Sequence, residues 1–266
     1  MFFEKSFRHK KSLGQNFLAD RNILGKIVER AAPATGEVLL EIGAGQGVLT
    51  RELLASPCGF LYSMEIDRGL EPFLSDIPLL HPDRFQLIWG DALEADFSHL
   101  SPAPVKVVAN IPYNITTPLL WKLLETLPSA GYFLLMVQKE AAERMTASPS
   151  TKERYPLGVT LELMGNARKV LNVPPTAFRP VPAVHSCLLE ITLGKEHREL
   201  ATDAFWRGML RSGFAQRRKK LLKNLKAFRN EVPWAEVFAD LGIGENSRAE
   251  ELSGEQWLAL HRKAKK

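Results

Sequence analysis

The stretch that decides the fold is Val105-Lys106-Val107-Val108-Ala109-Asn110-Ile111-Pro112-Tyr113-Asn114. Its first five residues are mostly β-branched and apolar, which is the pattern of a strand buried on both faces of a parallel sheet. In open α/β sheets, ligands bind beyond the carboxyl ends of such strands. The polar, proline-stiffened and aromatic turn that follows, from Asn110 to Tyr113, is therefore where we expect chemistry.

The residue types of this turn fit a nucleobase amine. Such an amine is a poor nucleophile because its lone pair is delocalised into the ring. The side-chain oxygen of Asn110 and the main-chain carbonyl of Ile111 can accept its N–H bonds and favour the pyramidal shape that attack requires. Pro112 has no N–H to compete, and Tyr113 offers a face on which a flipped base gains about 1–3 kcal/mol by stacking. Taken alone, the tetrapeptide also fits an ordinary strand-end turn.

Composition sets broad bounds on the protein. The 266 residues, 45% of them hydrophobic and 24% charged, indicate a globular chain of one or two domains. The formal net charge of +5 suggests a polyanionic partner. Cys58 and Cys187 belong to no metal-binding or disulfide pattern, so we predict no metal site. The sequence has no signal peptide and no membrane-length apolar run, which leads us to expect a cytoplasmic protein without membrane association.

Apolar segments and helical periods alternate along the first two thirds of the chain, which predicts an α/β fold with a mostly parallel sheet. Besides the strand at 105–109, strands are predicted at 37–42, 60–64, 85–89, 131–137, 157–163 and 186–193. Helices are predicted at about 21–32, 48–55, 116–127 and 138–147.

Three of these strands end in candidate cofactor residues. The first runs into a glycine-rich turn with Gly43 and Gly45, but Val48 stands where a dinucleotide fingerprint needs its third glycine, which counts against NAD or FAD. Glu65 ends the next strand and can accept hydrogen bonds from both hydroxyls of a ribose. Asp91 follows a third strand and either accepts from an adenine amino group or caps a local turn. Asp67 is expected to face solvent or to cap the next helix.

A proline-dense loop at 173–182 carries Phe178. Four prolines restrict this part of the chain and can hold the ring in one place. The ring either plugs the core or, together with Tyr113, clamps a base from both sides.

After Leu193 only helical periods remain, so we predict a domain of residues 1–196 and a helical domain of residues 197–266. Nine basic and no acidic residues lie between Arg207 and Arg229, a one-sided charge that phosphates explain better than a solvated face. The predicted contacts to a nucleic acid, RNA if the resemblance below holds, are Arg217, Arg218, Lys219, Lys220 and Lys223. A basic arm at the N-terminus, with Lys5, Arg8, His9, Lys10 and Lys11, is either solvated or bound to nucleic acid.

In this order and spacing, the motifs resemble those of one family across nearly the whole chain: the KsgA-type small-subunit ribosomal RNA adenine dimethyltransferases. The matching pieces are Leu13-Gly14-Gln15-Asn16-Phe17-Leu18, Glu41-Ile42-Gly43-Ala44-Gly45-Gln46-Gly47-Val48-Leu49-Thr50, Glu65-Ile66-Asp67, Gly90-Asp91-Ala92, Asn110-Ile111-Pro112-Tyr113-Asn114-Ile115, Gln138-Lys139-Glu140, Phe178-Arg179-Pro180-Val181-Pro182 and Phe214-Ala215-Gln216-Arg217-Arg218-Lys219. The chain departs from the family pattern at Ala44, at His185 and at Pro156-Leu157-Gly158.

The resemblance implies a Rossmann-like class I methyltransferase fold with a small helical C-terminal domain and S-adenosyl-L-methionine as cofactor. It implies that Asn16, Leu18, Gly43, Glu65, Asp91 and Asn110 touch the cofactor or close its pocket, and that the Asn-Ile-Pro-Tyr turn presents adenine. The implied substrate is small-subunit ribosomal RNA within the immature small subunit. We expect the protein itself to be a monomer. Two alternatives are a large-subunit rRNA adenine methyltransferase of the antibiotic-resistance type and an assembly factor with little turnover.

Overall fold

The computed structural model describes residues 9–10 and 13–265. Lys5, Arg8 and Lys11 of the predicted basic arm lie outside these residues. The chain forms two compact units, one of Met1–Ala142 with Arg168–Thr192 and the other of Glu143–Ala167 with Leu193–Lys266. The division near Leu193 is close to the predicted one at residue 196. However, the second unit also takes in residues 143–167, which were predicted to belong to the first domain.

The β-strands are β1 Phe17–Leu18, β2 Val38–Ile42, β3 Phe60–Glu65, β4 Phe85–Trp89, β5 Lys106–Asn110, β6 Tyr132–Gln138, β7 Gly165–Val173, β8 Phe178–Arg179 and β9 Ser186–Leu193. The α-helices are α1 Arg21–Ala31, α2 Val48–Ala55, α3 Glu71–Leu74, α4 Ile77–Leu80, α5 Thr116–Thr126, α6 Lys139–Met145, α7 Pro156–Met164, α8 Ala204–Gly213, α9 Leu221–Phe228, α10 Trp234–Asp240 and α11 Gly254–Ala264. No helix within the described residues has the length and apolar character needed to span a membrane.

Seven strands form one sheet in the order β4-β3-β2-β5-β6-β9-β7. The neighbours from β4 to β6 pair in parallel, and β9 pairs antiparallel to β6. This confirms the predicted α/β class and the Rossmann-like, mostly parallel sheet. The strand order reverses between β2 and β5, where Ile42 lies beside Ala109. A ligand site is expected at the carboxyl ends of these two strands, because the connections leave a crevice there.

The core of the first unit packs helices against this sheet. Val107 and Val108 of β5 are fully buried, as the apolar run predicts for a central strand. Helix α1 starts at Arg21, as predicted, and Asp20 caps it, because the side chain of Asp20 accepts hydrogen bonds from the N–H groups of Asn22 and Ile23. The short strands β1 and β8 pair in a separate two-stranded sheet, in which Leu18 lies opposite Phe178.

Helices α8 to α11 of the second unit surround a core that includes Trp206, Trp234 and Trp257, all fully buried. The helical character predicted after residue 193 is thus confirmed. Helix α7 belongs to the same unit and contacts α8 and α11. The Thr160 hydroxyl of α7 accepts a hydrogen bond from Trp206 Nε1 at 3.0 Å.

The prediction of a strand at residues 157–163 is wrong, since this segment forms helix α7. A continuous apolar run does not distinguish a buried strand from a buried helix, because neither leaves a polar face. Seven of the nine residues of α7 are buried, and Pro156 starts the helix at a position where its missing N–H costs nothing. Strand β7 at the sheet edge was not predicted, because polar residues interrupt its apolar ones and every residue except the last is at least partly exposed.

Candidate active site

A cavity of about 280 Å³ opens at the reversal of strand order, near the lower end of the range usual for small-molecule sites. Nine of the predicted site residues line it, although they come from five separate segments of the chain. These residues are Asn16, Gly43, Gly45, Glu65, Asp91, Asn110, Ile111, Pro112 and Tyr113.

The glycine turn after β2 forms the floor of this cavity. Gly43 and Gly45 adopt φ values of +84° and +57°, in the left-handed region that disfavours residues with a Cβ. A Cβ on Gly45 would lie 3.0 Å from the ring of Phe17, and one on Gly43 would lie 3.4 Å from the carbonyl oxygen of Asn110. The two glycines therefore keep the backbone of the turn close to its neighbours while leaving the cavity open.

Glu65, at the end of β3, is buried and fixed by three backbone N–H groups. Its Oε2 accepts from Gly45 N at 2.8 Å, and its Oε1 accepts from Ile66 N at 3.0 Å and Asp67 N at 2.8 Å. Burial raises the pKa of Glu65 more than these hydrogen bonds lower it, and the nearby charge of Asp67 adds to the rise. The carboxylate is thus held in one orientation, with lone pairs left for further donors.

Asp91 follows β4 and lines the same cavity. Its Oδ1 accepts from the backbone N–H of Leu93 at 2.8 Å, which is the local turn contact considered as an alternative role. A carboxylate has about four acceptor sites, so this bond leaves the side chain able to accept from a ligand amine as well.

The N-terminal segment from Leu13 to Phe17 supplies one wall of the cavity. The carbonyl oxygen of Asn16 accepts a hydrogen bond from Nδ2 of Asn110 at 3.0 Å. Leu18 does not line the cavity. Its side chain packs against the core of the first unit, and its expected role, to touch the cofactor or to close its pocket, stays a prediction.

The bond to Asn16 decides how the side chain of Asn110 is oriented. A carbonyl oxygen can only accept, so the amide atom that faces Asn16 must be the nitrogen. Oδ1 of Asn110 then remains available as an acceptor at the cavity. The next residue, Ile111, is held by a hydrogen bond from its N–H to the carbonyl of Met136 at 3.2 Å, and its own carbonyl precedes Pro112, which carries no N–H.

Tyr113 lines the cavity and is half-buried. Its hydroxyl lies 2.5 Å from the hydroxyl of Ser186, a fully buried residue at the start of β9. Burial raises the pKa of the Tyr113 phenol, which keeps the group neutral. Ser186 was not predicted, because nothing in its local sequence pattern marks it; only the antiparallel pairing of β9 with β6 brings it close to Tyr113.

The predicted clamp by Phe178 is not present. Phe178 is fully buried in the core of the first unit and does not line the cavity. The pairing of β8 with β1 fixes it opposite Leu18, so its ring serves as the core plug that was the alternative. Asp67 also differs from one expectation: it is buried rather than facing solvent, although it does cap the short helical turn at 68–70.

The predicted RNA-contacting residues lie in the second unit, on the loop after α8 and at the start of α9. Arg218, Lys219, Lys220 and Lys223 are exposed, and Arg217 is partly buried. The buried side chain of Asn224 donates to the carbonyl oxygens of Gly213 at 2.6 Å and Gln216 at 3.3 Å. These bonds hold the loop from within, so that its basic side chains project outward.

The sheet topology, the glycine turn and the acidic residues at two strand ends define a protein of the Rossmann-like class I methyltransferase type. Residues 6–266 match the family described as ribosomal RNA adenine dimethylase, and the chain belongs to this family. The Ribosomal RNA small subunit methyltransferase A of Paracoccus denitrificans is 40% identical over 259 residues, which are 96% of this chain and 91% of that protein.

Two solved structures are similar over most of their length. A dimethyladenosine transferase from Plasmodium falciparum has a TM-score of 0.75 and 27% identity, covering 92% of this chain and 95% of that one. The 23S rRNA methyltransferase ErmE has a TM-score of 0.69 and 26% identity, covering 94% of this chain and all of that one. The resemblance inferred from the motifs is thereby confirmed.

Proposed function

We propose that this protein transfers methyl groups from S-adenosyl-L-methionine to the 6-amino groups of two adjacent adenosines near the 3′ end of 16S rRNA. Membership of the ribosomal RNA adenine dimethylase family supports the reaction. The name of its relatives, ribosomal RNA small subunit methyltransferase A, supports the small subunit over the large-subunit target printed for ErmE. We further propose that the enzyme acts as a cytoplasmic monomer on the immature small subunit.

The cavity residues fit S-adenosyl-L-methionine. Glu65 presents a fixed carboxylate suited to two vicinal hydroxyls, and Asp91 presents an acceptor suited to an adenine amino group. Gly43 and Gly45 carry no Cβ, so a nucleoside can come close to the backbone of this turn. When bound, this cofactor supplies an electrophilic methyl group on sulfur.

The observation that carries the proposal is the orientation of the Asn110 side chain, whose Oδ1 accepts no hydrogen bond from the residues that the structure describes. Since Nδ2 is engaged by Asn16, Oδ1 of Asn110 and the carbonyl of Ile111 are two uncharged acceptors at one strand end. They can hold both N–H bonds of an adenine amine and favour its pyramidal form, while Tyr113 stacks on the base. The amine becomes acidic as it gains the methyl group, so its proton can pass to water without a strong base on the protein.

The test is to incubate the protein and labelled S-adenosyl-L-methionine with unmethylated small subunits, with large subunits and with naked rRNA, and then to map the methylated positions. We expect N6,N6-dimethyladenosine in small-subunit rRNA only. Product in large subunits would instead favour the ErmE-like target. Binding to small subunits without methyl transfer would favour an assembly factor.

The Asn110→Ala variant tests the residue assignment in the same assay. We expect cofactor affinity to change little and the methyl-transfer rate to fall by roughly 10²–10³, the usual cost of losing a preorganised polar group. A variant that keeps most of its activity would remove Asn110 from the reaction.

A further inference from the structure

Asp67 makes a set of contacts that the proposed reaction does not explain. Its side chain is fully buried, yet it lies just beyond the end of β3. Oδ1 accepts from Lys10 Nζ at 2.5 Å, and Oδ2 accepts from Gln15 Nε2 at 2.7 Å. The same Gln15 side chain accepts from the backbone N–H of Lys10 at 2.7 Å. One carboxylate therefore joins two points of the N-terminal segment.

This residue also contacts Glu65, a second part of the cavity lining. The backbone N–H of Asp67 donates to Oε1 of Glu65, the carboxylate that we assign to the ribose. The side chain of Asp67, in contrast, binds Gln15, which belongs to the wall from Leu13 to Phe17. Asp67 thus links the carboxylate of Glu65 to the wall from Leu13 to Phe17, although its own side chain does not line the cavity.

The electrostatics of Asp67 favour the ionised form. Burial alone would raise its pKa, but the hydrogen bonds from Lys10, Gln15 and Gly69 N and the charge of Lys10 together lower it. If the N-terminal segment moved away, this carboxylate would lose its cationic partner and two of its hydrogen bonds. The charge-assisted contacts therefore stabilise the arrangement in which the wall is in place.

We infer that Asp67 is a positioning residue for the cofactor cavity: it fixes the wall formed by residues 13–17 and so slows the release of the ligand held there. The inference rests on the proposed function, in which that ligand is S-adenosyl-L-methionine or the S-adenosyl-L-homocysteine left after transfer. The wall is also tied to the reacting turn, since Asn16 accepts the bond from Asn110. Loss of the Asp67 contacts should therefore disturb both cofactor retention and the orientation of Asn110.

Two variants separate this role from general stability. Lys10→Met removes the cation but keeps the backbone bonds of Lys10 to Leu13 and Gln15, and Lys10 does not itself line the cavity. Asp67→Asn keeps the size of the side chain and its ability to cap the turn at Gly69. It loses the charge and, because an amide nitrogen cannot accept, the hydrogen bond from Gln15. Asp240→Asn is the matched control, because it breaks an exposed Lys–Asp pair, Lys263–Asp240 at 3.1 Å, in the second unit.

The first measurement is the dissociation rate of labelled S-adenosyl-L-methionine, chased with unlabelled S-adenosyl-L-homocysteine. We expect Lys10→Met and Asp67→Asn to raise this rate by about tenfold, in keeping with the loss of a partly exposed charged hydrogen bond. The double variant should release the ligand no faster than Asp67→Asn alone, and Asp240→Asn should match the parent protein. High salt should speed release from the parent protein but not from Lys10→Met.

The second measurement does not need the cofactor. Amide hydrogen exchange at residues 14–18 of the free protein should become faster in Lys10→Met and Asp67→Asn, and it should be unchanged in Asp240→Asn. Unchanged exchange in the first two variants, or unchanged ligand release, would overturn the role of Asp67. If the exchange changes as expected but the parent protein binds no S-adenosyl-L-methionine, the cofactor assignment is wrong while the anchoring of the wall by Asp67 stands.

Discussion

The hydroxyl of Tyr113 lies 2.5 Å from the hydroxyl of Ser186, so a fully buried serine fixes the one aromatic ring that we assign to base stacking. Ser186 starts β9 opposite Gln138, while Tyr113 belongs to the turn after β5. The stacking surface is thus oriented by a strand that is far away in sequence.

Removing either hydroxyl should loosen the ring without removing it. We expect Ser186→Ala and Tyr113→Phe each to raise the KM for RNA by about three- to tenfold, as for the loss of one neutral hydrogen bond. The double variant should be no worse than either single variant, because both remove the same bond. Additive losses, or an equal loss of cofactor affinity, would mean that Ser186 does not act through Tyr113.

Cofactor affinity should depend on the charge of Glu65. Its pKa is raised by burial, so the carboxylate is protonated at a higher pH than an ordinary glutamate. Protonation replaces an acceptor with a donor, and we therefore expect the Kd for S-adenosyl-L-methionine to rise as the pH falls through this raised pKa. Isothermal titration calorimetry with the cofactor at several pH values measures this dependence of the Kd.

Glu65→Gln should bind the cofactor about 10- to 100-fold more weakly at pH 8, since a hydrogen bond to a charged acceptor is lost. Its Kd should also vary less with pH than that of the parent protein. If both proteins showed the same pH profile, the titrating group would be another residue.

Glu41 should make the stability of the fold depend on pH. It is fully buried on β2, where Oε2 accepts from Thr50 Oγ1 at 2.7 Å and Ser63 Oγ at 2.6 Å. Its Oε1 has no hydrogen-bond partner among the described residues. Burial raises the pKa of Glu41 from 4.5 to about 7, despite the two hydroxyl bonds.

Because the folded state binds this proton more tightly than the unfolded state, the free energy of unfolding should decline as the pH rises from 4.5 through about 7. Once Glu41 is fully ionised in the folded state, the free energy of unfolding should be lower by about 3 kcal/mol than at low pH. Urea denaturation at pH 5 and pH 8 should show that Glu41→Gln gains stability relative to the parent protein as the pH increases. An equal difference at both pH values would argue against a buried, titrating Glu41.

The exposed lysines around α9 should set the salt dependence of RNA binding. We expect the Lys219→Ala, Lys220→Ala, Lys223→Ala triple variant to bind RNA with a weaker salt dependence. The slope of log K against the logarithm of the salt concentration should become shallower by about 2 to 3, since each phosphate contact contributes about 0.7–0.9. A control triple variant at the exposed residues Lys26, Lys152 and Lys195 removes the same net charge. Equal slopes for the two triple variants would indicate an effect of overall charge alone.

The sequence by itself determined the parallel sheet and the strand ends that carry Gly43, Glu65, Asp91 and Asn110. Apolar strands and glycine or acidic turns are local patterns, and parallel strands place their carboxyl ends at one edge whatever the rest of the chain does. The sequence also determined the helical, basic character of the C-terminal part, because one-sided charge and helical period can be read within a single segment.

Only the tertiary structure decided the contacts between distant segments. Phe178 became a core plug because β8 pairs with β1, and Ser186 reached Tyr113 because β9 pairs with β6. Residues 157–163 formed a helix because an apolar run takes its conformation from the surfaces that bury it. Asp67 was buried by Lys10 and Gln15, more than fifty residues away along the chain, and no local pattern encodes a partner at that separation.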